Sequence, residues 1–381
     1  MKGDAIGNTL YSERWVLKAL MKLTQLEKQE INDEFESELC LLWDMTIEKD
    51  VVNFMMKHDF LSIATKVIQS SENMRIIEII VGVIGNMCCV ESVRGELSQR
   101  KETVETLLAL LETPDSCVLV QLVRLLHSTA WDLVHNPDYG PHWLENEFNN
   151  TRLSSHIAFI LMSSTNEELL FCVLELLATT CSLNINDKDF SLYFSTPEIV
   201  KGLIESWQQL FANWTLEDDF PSKHHTKAAT HWTEVLCSFT GHVSGRTVLC
   251  QFGEQLGDIF SKIICRPPDC LDKLLVSTVT LMEAIIRVYF NENSFKKVLH
   301  ILHNLYQIVV RRFTGEPTNN EDNLEPILQE SIETYCANVS SIIDHHILNA
   351  TLAECNENHV LLYWKIVNDR QIDVDLGERA I

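Results

Sequence analysis

Side chains able to do chemistry are plentiful in this chain, but their spacing rarely suits it. His224-His225 with His231 and Cys237 supplies imidazole and thiol ligands of the kind zinc takes. A helical zinc motif, however, sets two ligands four apart on one face, and no Cys-x-x-Cys occurs anywhere. Cys88-Cys89, His345-His346 and the Cys265/Cys270 pair around Pro267-Pro268 are no better placed, so neither a metal nor a cofactor is expected. Asp44, between Trp43 and Met45, comes nearest to the apolar setting that turns a carboxyl into a general acid. A helix starting close behind it points instead to a cap or an ion pair. No phosphate-cradling glycine loop, Gly-x-Ser-x-Gly elbow or His-Glu-x-x-His is present. No catalytic residue is nominated, and the expectation is a protein that is not an enzyme.

The elements that would position these side chains are helices in a repeating plan. An apolar helix over 57–70, a polar break and a second apolar helix over 74–90 are followed by the same plan at 103–111 and 116–134. A period of about 40 residues with two helices per unit marks an armadillo or HEAT-like solenoid. Further pairs fit 152–182, 197–214 with 226–240, 253–264 with 271–290, and 294–313 with 324–352. Helices over 11–26, with Ser12 as N-cap, and over 36–45 precede the repeats, and one over 360–367 follows them. The expected fold is all-α: an armadillo/HEAT-like, right-handed α-solenoid of about six helical pairs with terminal capping helices. One domain is expected over 1–381, with N-terminal capping helices in 1–50, repeats in 51–352, and a C-terminal cap and polar tail in 353–381.

In such a fold the second helix of each pair lines the concave face, so recognition residues are sought there. Gly82, Arg124 and Glu175 fall in register, and with Asn86, Gln121, Ser128 and Trp131 they mark the expected protein-binding face. A solvated stripe with one ion pair between repeats would give the same pattern. Asn86 stands where peptide-clamping armadillo proteins place an amide that grips peptide backbone. Those proteins also carry a Trp four residues earlier, where this chain has Gly82, and Ser128 and Thr179 follow in the next repeats. A structural amide is the stronger reading. Gly82 and Gly85 in a helix interior cost about 1 kcal/mol each relative to Ala, which calls for a neighbour that must approach the backbone closely.

Charge narrows the partner. With 30 Lys and Arg against 54 Asp and Glu, the formal net charge is −24. Binding to nucleic acid needs cations to replace counterions along phosphates. The best basic patch, Arg311-Arg312 near Lys296-Lys297, is small, so neither nucleic acid nor an anionic membrane is expected. A basic protein partner remains compatible, and the acidic stretch 27–38 is a further docking candidate. No apolar run of the roughly 20 residues needed to cross a bilayer is read, and the start lacks the apolar core of a signal peptide. Twelve scattered Cys, including Cys88, Cys172, Cys237 and Cys336 at core-like positions, read as reduced thiols. Four glycosylation triplets, at Asn149, Asn213, Asn338 and Asn349, are read as chance matches in an intracellular chain.

Particular residues then carry a resemblance. Gly3-Asp4-Ala5-Ile6-Gly7-Asn8-Thr9-Leu10-Tyr11-Ser12 with Trp15, Glu38-Leu39-Cys40 with Trp43-Asp44-Met45, and Gly82-Val83-Ile84-Gly85-Asn86-Met87 are similar to the serum amyloid A-like 1 protein family. So is 159–166, Phe159-Ile160-Leu161-Met162-Ser163-Ser164-Thr165-Asn166, with Leu169-Leu170. The likeness covers mainly residues 3–170. It implies an armadillo-type helical protein without catalytic residues, nuclear or cytoplasmic, and linked to cell proliferation. The resulting expectation is a non-enzymatic scaffold or adaptor for a protein partner; an acidic chaperone or carrier for basic clients is the alternative.

Overall fold

A computed structural model describes residues 4–26, 32–135, 151–185, 188–215, 220–266, 272–313 and 324–378, with backbone alone at 151–152, 308–313 and 371–378. The fold is an all-α helical solenoid of the armadillo type, and its only strands among the described residues are a two-residue ribbon, β1 (Asn184–Ile185) against β2 (Lys188–Asp189). The sequence suggests one domain throughout. The contacts gather into two compact units, Met1–Phe194 and Ser195–Ile381.

The first unit holds α1 (Glu13–Leu23), α2 (Asp33–Met45), α3 (Lys49–Lys57), α4 (Phe60–Ser70), α5 (Met74–Met87), α6 (Glu91–Gln99), α7 (Lys101–Ala109), α8 (Ser116–His135), α9 (Thr151–Ser163), α10 (Glu167–Cys181) and the short α11 (Ser191–Phe194). Helices α2, α5, α8 and α10 stack side by side in one layer, and α4 packs on α7 in the other. The first two repeats have three helices where the periodicity suggests two. The short α3 and α6, nine residues each, open them. At the α3–α4 corner Asp59 turns the chain with φ 53°, and its carboxylate meets Arg100 at 2.7 Å.

Local signals explain where the helices start. Ser12 accepts from the Trp15 amide, as its type predicts, and Asn32, Asn73 and Asn166 do the same for α2, α5 and α10. The N-terminal motif is a clasp on α1: Ser12 Oγ donates to Asp4 at 2.6 Å, and Asp4 also accepts from the Arg14 amide. Gly7, at φ +57°, brings its backbone against Asp50, which accepts from the Asn8 amide. Asp44 is an exposed residue with no side-chain hydrogen bond or ion pair among the described residues, so the expected cap or pair is not formed.

Between the layers, Arg94 of α6 reaches Asp132 of α8 in a fork of 2.6 and 2.8 Å, and its third nitrogen donates to the Cys88 carbonyl at 2.6 Å. Both residues are buried, at 9% and 3% exposure. The α8 helix also corrects one expectation. At 20 residues and a mean hydropathy of 1.3 it is long and apolar enough to cross a membrane. Its apolar residues face α5 and α10, and 61% of that stretch is buried inside the protein, which accounts for the composition.

The second unit holds α12 (Pro197–Leu210), α13 (Lys223–Thr240), α14 (Val243–Gln251), α15 (Gly253–Cys265), α16 (Lys273–Ile285), α17 (Glu292–Phe313), α18 (Leu324–Ile342), α19 (His345–Ala353) and α20 (Glu357–Glu378). Helices α13, α16, α18 and α20 stack in sequence, with α15 on α17 alongside. The core is anchored by Trp232, fully buried, whose indole N–H donates to the Leu203 carbonyl at 2.7 Å and whose ring meets Trp207 and Phe260. Phe295, Tyr335 and Tyr363 fill the far end of the unit. The helix expected over 324–352 breaks in two, because Asp344 accepts from the His346 amide at 2.7 Å and starts α19 afresh.

Candidate protein-binding surface

The residues nominated for recognition separate on inspection. In α5, Asn86 is half-buried, and its amide donates to the Trp43 carbonyl and to Thr46 Oγ1, both at 3.3 Å. It joins α5 to the end of α2, a structural role, although it ties the neighbouring element and not its own repeat. Gly82, one turn earlier, lies under the Trp43 ring: a Cβ there would come within 2.2 Å of Cζ2. The close approach inferred from Gly82 is thus real, and its cause is an indole from the preceding helix. Gly85 needs no such explanation, since the nearest atom to a Cβ would be Leu125 Cβ at 4.0 Å.

In α8 the spacing 121, 124, 128, 131 and 135 follows one helical face. Gln121 and Ser128 are half-buried and Arg124 is exposed. Ser128 Oγ donates to the Arg124 carbonyl, which fixes the hydroxyl along the helix. Trp131 is 50% exposed and stacks on His135 at 3.9 Å; Val134 beside it is 40% exposed. Among the described residues Arg124 forms no ion pair, so the bridge between Arg124 and Glu175 is not made. Glu175 of α10 is half-buried. The structure therefore leaves Gln121, Arg124, Ser128 and Trp131 as a stripe, and draws Asn86 into the interior.

Other nominations are absorbed by ordinary bonding. His225 meets Ser222 and His231 meets Glu234, while Cys237 donates to the Ser277 carbonyl. Burial pushes the Cys88 and Cys237 thiols up to about 12, which suits inert packing. Among the described residues no group of three or more His, Cys, Asp or Glu is arranged to hold a metal ion. Of the acidic stretch, residues 27–31 lie outside the described residues; Glu36 pairs with Arg75 at 2.9 Å and Glu38 with Lys22, so both serve as ties. The side chains of Arg311 and Arg312 also lie outside the described residues. The 159–166 motif forms a junction: Asn166 caps α10 and donates to Ser116 at 3.2 Å, bordering a cavity of about 760 Å³ that Phe159 also lines.

Sequence reasoning placed no protein-binding residue in the second unit, yet a groove of about 600 Å³ opens between α14, α16 and α18. Arg246, Arg287, Glu283 and Asn338 line it, with Val243 and Ile342 as apolar walls. The Asn338 amide donates to Glu283 at 2.8 Å, and burial raises the Glu283 pKa against the pull of Arg246 and of that bond. The available signal was two arginines about one repeat apart in a strongly acidic chain.

Comparison with known proteins agrees with the family resemblance over part of the chain. Protein saal1 of Danio rerio is 33% identical over 234 residues, covering 55% of this chain and 48% of its own length. Protein SAAL1 of Homo sapiens is 31% identical over 182 residues, covering 44% and 38%. The chain thus spans less than half the length of these curated relatives, and the resemblance belongs to a segment. No family profile matches. Among solved structures, SYS-1 superposes with a TM-score of 0.50 at 12% identity, over 92% of this chain and 62% of that one, a likeness of fold alone. A computationally designed armadillo repeat protein made for modular peptide recognition reaches 0.49 at 15% identity, over 70% of this chain and 98% of its own.

Proposed function

We propose that this protein is a non-enzymatic scaffold that holds a protein partner on the exposed stripe of α8, serving a proliferation-linked process in the nucleus or cytoplasm. The observation that carries the reading is Trp131, half exposed beside Arg124 and Val134 on a helix whose other faces are buried. Core helices ordinarily hide an indole. Trp and Arg together are the residue types that most often dominate binding energy at protein interfaces. The segmental resemblance to the SAAL1 proteins supports a helical protein-binding scaffold. With a net charge of −24, the chain as a whole attracts a partner carrying basic residues, whose apolar anchor would meet Trp131.

Affinity purification with mass spectrometry, on wild type and on Arg124→Glu/Trp131→Ala, tests the reading. One partner is expected to survive a wash at about 0.5 M salt, where charge screening is nearly complete, and to be lost from the variant. A crowd of basic proteins released by that wash from both forms would overturn the scaffold in favour of an acidic carrier. Recovery of the same salt-resistant partner by the variant would move the site away from α8.

A further inference from the structure

We infer that the groove between α14, α16 and α18 is a second binding site, and that it takes an acidic, leucine-containing segment of a protein partner. The inference stands on the second unit alone and does not depend on the α8 stripe. Among the described residues, Arg75, Arg94, Arg100, Arg266 and Arg370 each lie within ion-pair distance of a carboxylate. Arg14, Arg124, Arg246 and Arg287 do not. What distinguishes the last two is that they line one cavity. In a chain with 54 acidic residues against 30 basic ones, carboxylates to pair with them are abundant elsewhere. Two like charges sharing a concave site repel, and an incoming anion relieves both.

The remaining groups of the groove fit the same occupant. Glu283 also lines the groove, feels the charge of Arg246, and is half-buried and held by the Asn338 amide. Burial raises its pKa, while Arg246 and the Asn338 bond pull it down. Arg246 uses Nη1 on the Thr240 carbonyl at 2.6 Å, which orients its guanidinium and leaves other N–H groups for a ligand. Arg287, in the turn after α16, is exposed and forms no ion pair or hydrogen bond to another side chain among the described residues. A planar guanidinium matches a carboxylate with two parallel hydrogen bonds. Val243, at 73% exposure, and Ile342, at 36%, supply apolar walls that suit an aliphatic side chain next to the acidic one.

The test is fluorescence anisotropy with the full chain and a fluorescein-labelled peptide of alternating leucine and glutamate. Matched peptides carry lysine, or phosphoserine, in place of glutamate, and inorganic phosphate serves as a competitor. The glutamate peptide is expected to bind with an affinity that falls as salt rises, and the lysine peptide not to bind. Arg246→Glu/Arg287→Glu should weaken binding about tenfold or more. Arg287→Glu alone, which removes no bond within the protein, should weaken it several-fold at an unchanged melting temperature. Glu283→Gln should tighten it, and Arg14→Glu, the same change of net charge elsewhere, should leave it as it was. Equal binding by Arg287→Glu and wild type would overturn the site. Preference for the phosphoserine peptide, or competition by millimolar phosphate, would overturn the carboxylate as occupant. Loss of binding here leaves the α8 reading intact, because that rests on a different variant and a different partner.

Discussion

Replacing Asp132 with Ala should be among the most damaging single changes available in the first unit. Asp132 is 3% exposed and accepts both arms of the Arg94 fork, at 2.6 and 2.8 Å. Its loss leaves a guanidinium buried with the Cys88 carbonyl as its remaining partner among the described residues. Breaking a buried pair from one side costs about 3–5 kcal/mol, because an uncompensated charge stays in the interior. For a unit of this size that lowers the midpoint by roughly 10 °C, at about 2–4 °C per kcal/mol. Arg94→Met/Asp132→Leu removes both charges and supplies apolar volume, so it should recover most of the loss. Denaturant unfolding of the wild type, Arg94→Met, Asp132→Leu and their double gives the coupling energy. Native-state hydrogen exchange localises it, with α6 and α8 losing protection first. A cost under about 1 kcal/mol for Asp132→Ala, or a double variant as unstable as the sum of the singles, would refute the reasoning.

Two further outcomes are expected. Gly82→Ala improves helix propensity by about 1 kcal/mol, yet a Cβ within 2.2 Å of Trp43 should make the variant less stable by thermal melting, and Trp43→Leu should relieve the penalty; a stabilised Gly82→Ala would mean that the indole is free to move. His359 lies 5.1 Å from His303 and 5.5 Å from His300, ring to ring, and burial together with those imidazoles lowers its pKa. With the folded value below the unfolded one of about 6.5, the unfolded state binds the proton more readily. Stability is therefore full above about pH 6.5 and declines as the pH falls through the folded value. Melting between pH 7.5 and 5 should show that decline, reduced in His359→Gln; identical pH profiles for the two proteins would remove His359 as its source.

Much of the fold is legible in the residues because helices write local rules. Ser12, Asn73 and Asn166 mark starts that need no knowledge of the rest of the chain, and the 3.6-residue spacing of apolar side chains reports the buried faces of α5 and α8. Corners are less legible. Between the helices read over 74–90 and 103–111, α6 goes unread, because Val93 and Leu97 are its only buried apolar residues. The candidate surface was partly legible for the same reason: Gln121, Arg124, Ser128 and Trp131 share a stripe whatever surrounds them.

The sequence by itself determined helix content, the repeat, the apolar faces and the stripe on α8, since each depends on neighbours within about a turn of one helix. Tertiary structure alone decided which polar groups were consumed. Asn86 turns inward to Trp43 and Thr46, across 43 and 40 residues, and Arg94 finds Asp132 across 38. It also brings Arg246 and Arg287 to one groove, where neither meets a carboxylate at ion-pair distance among the described residues. Whether a side chain is a structural tie or an open hand depends on distances between elements far apart in the chain, and residue order does not encode those distances locally.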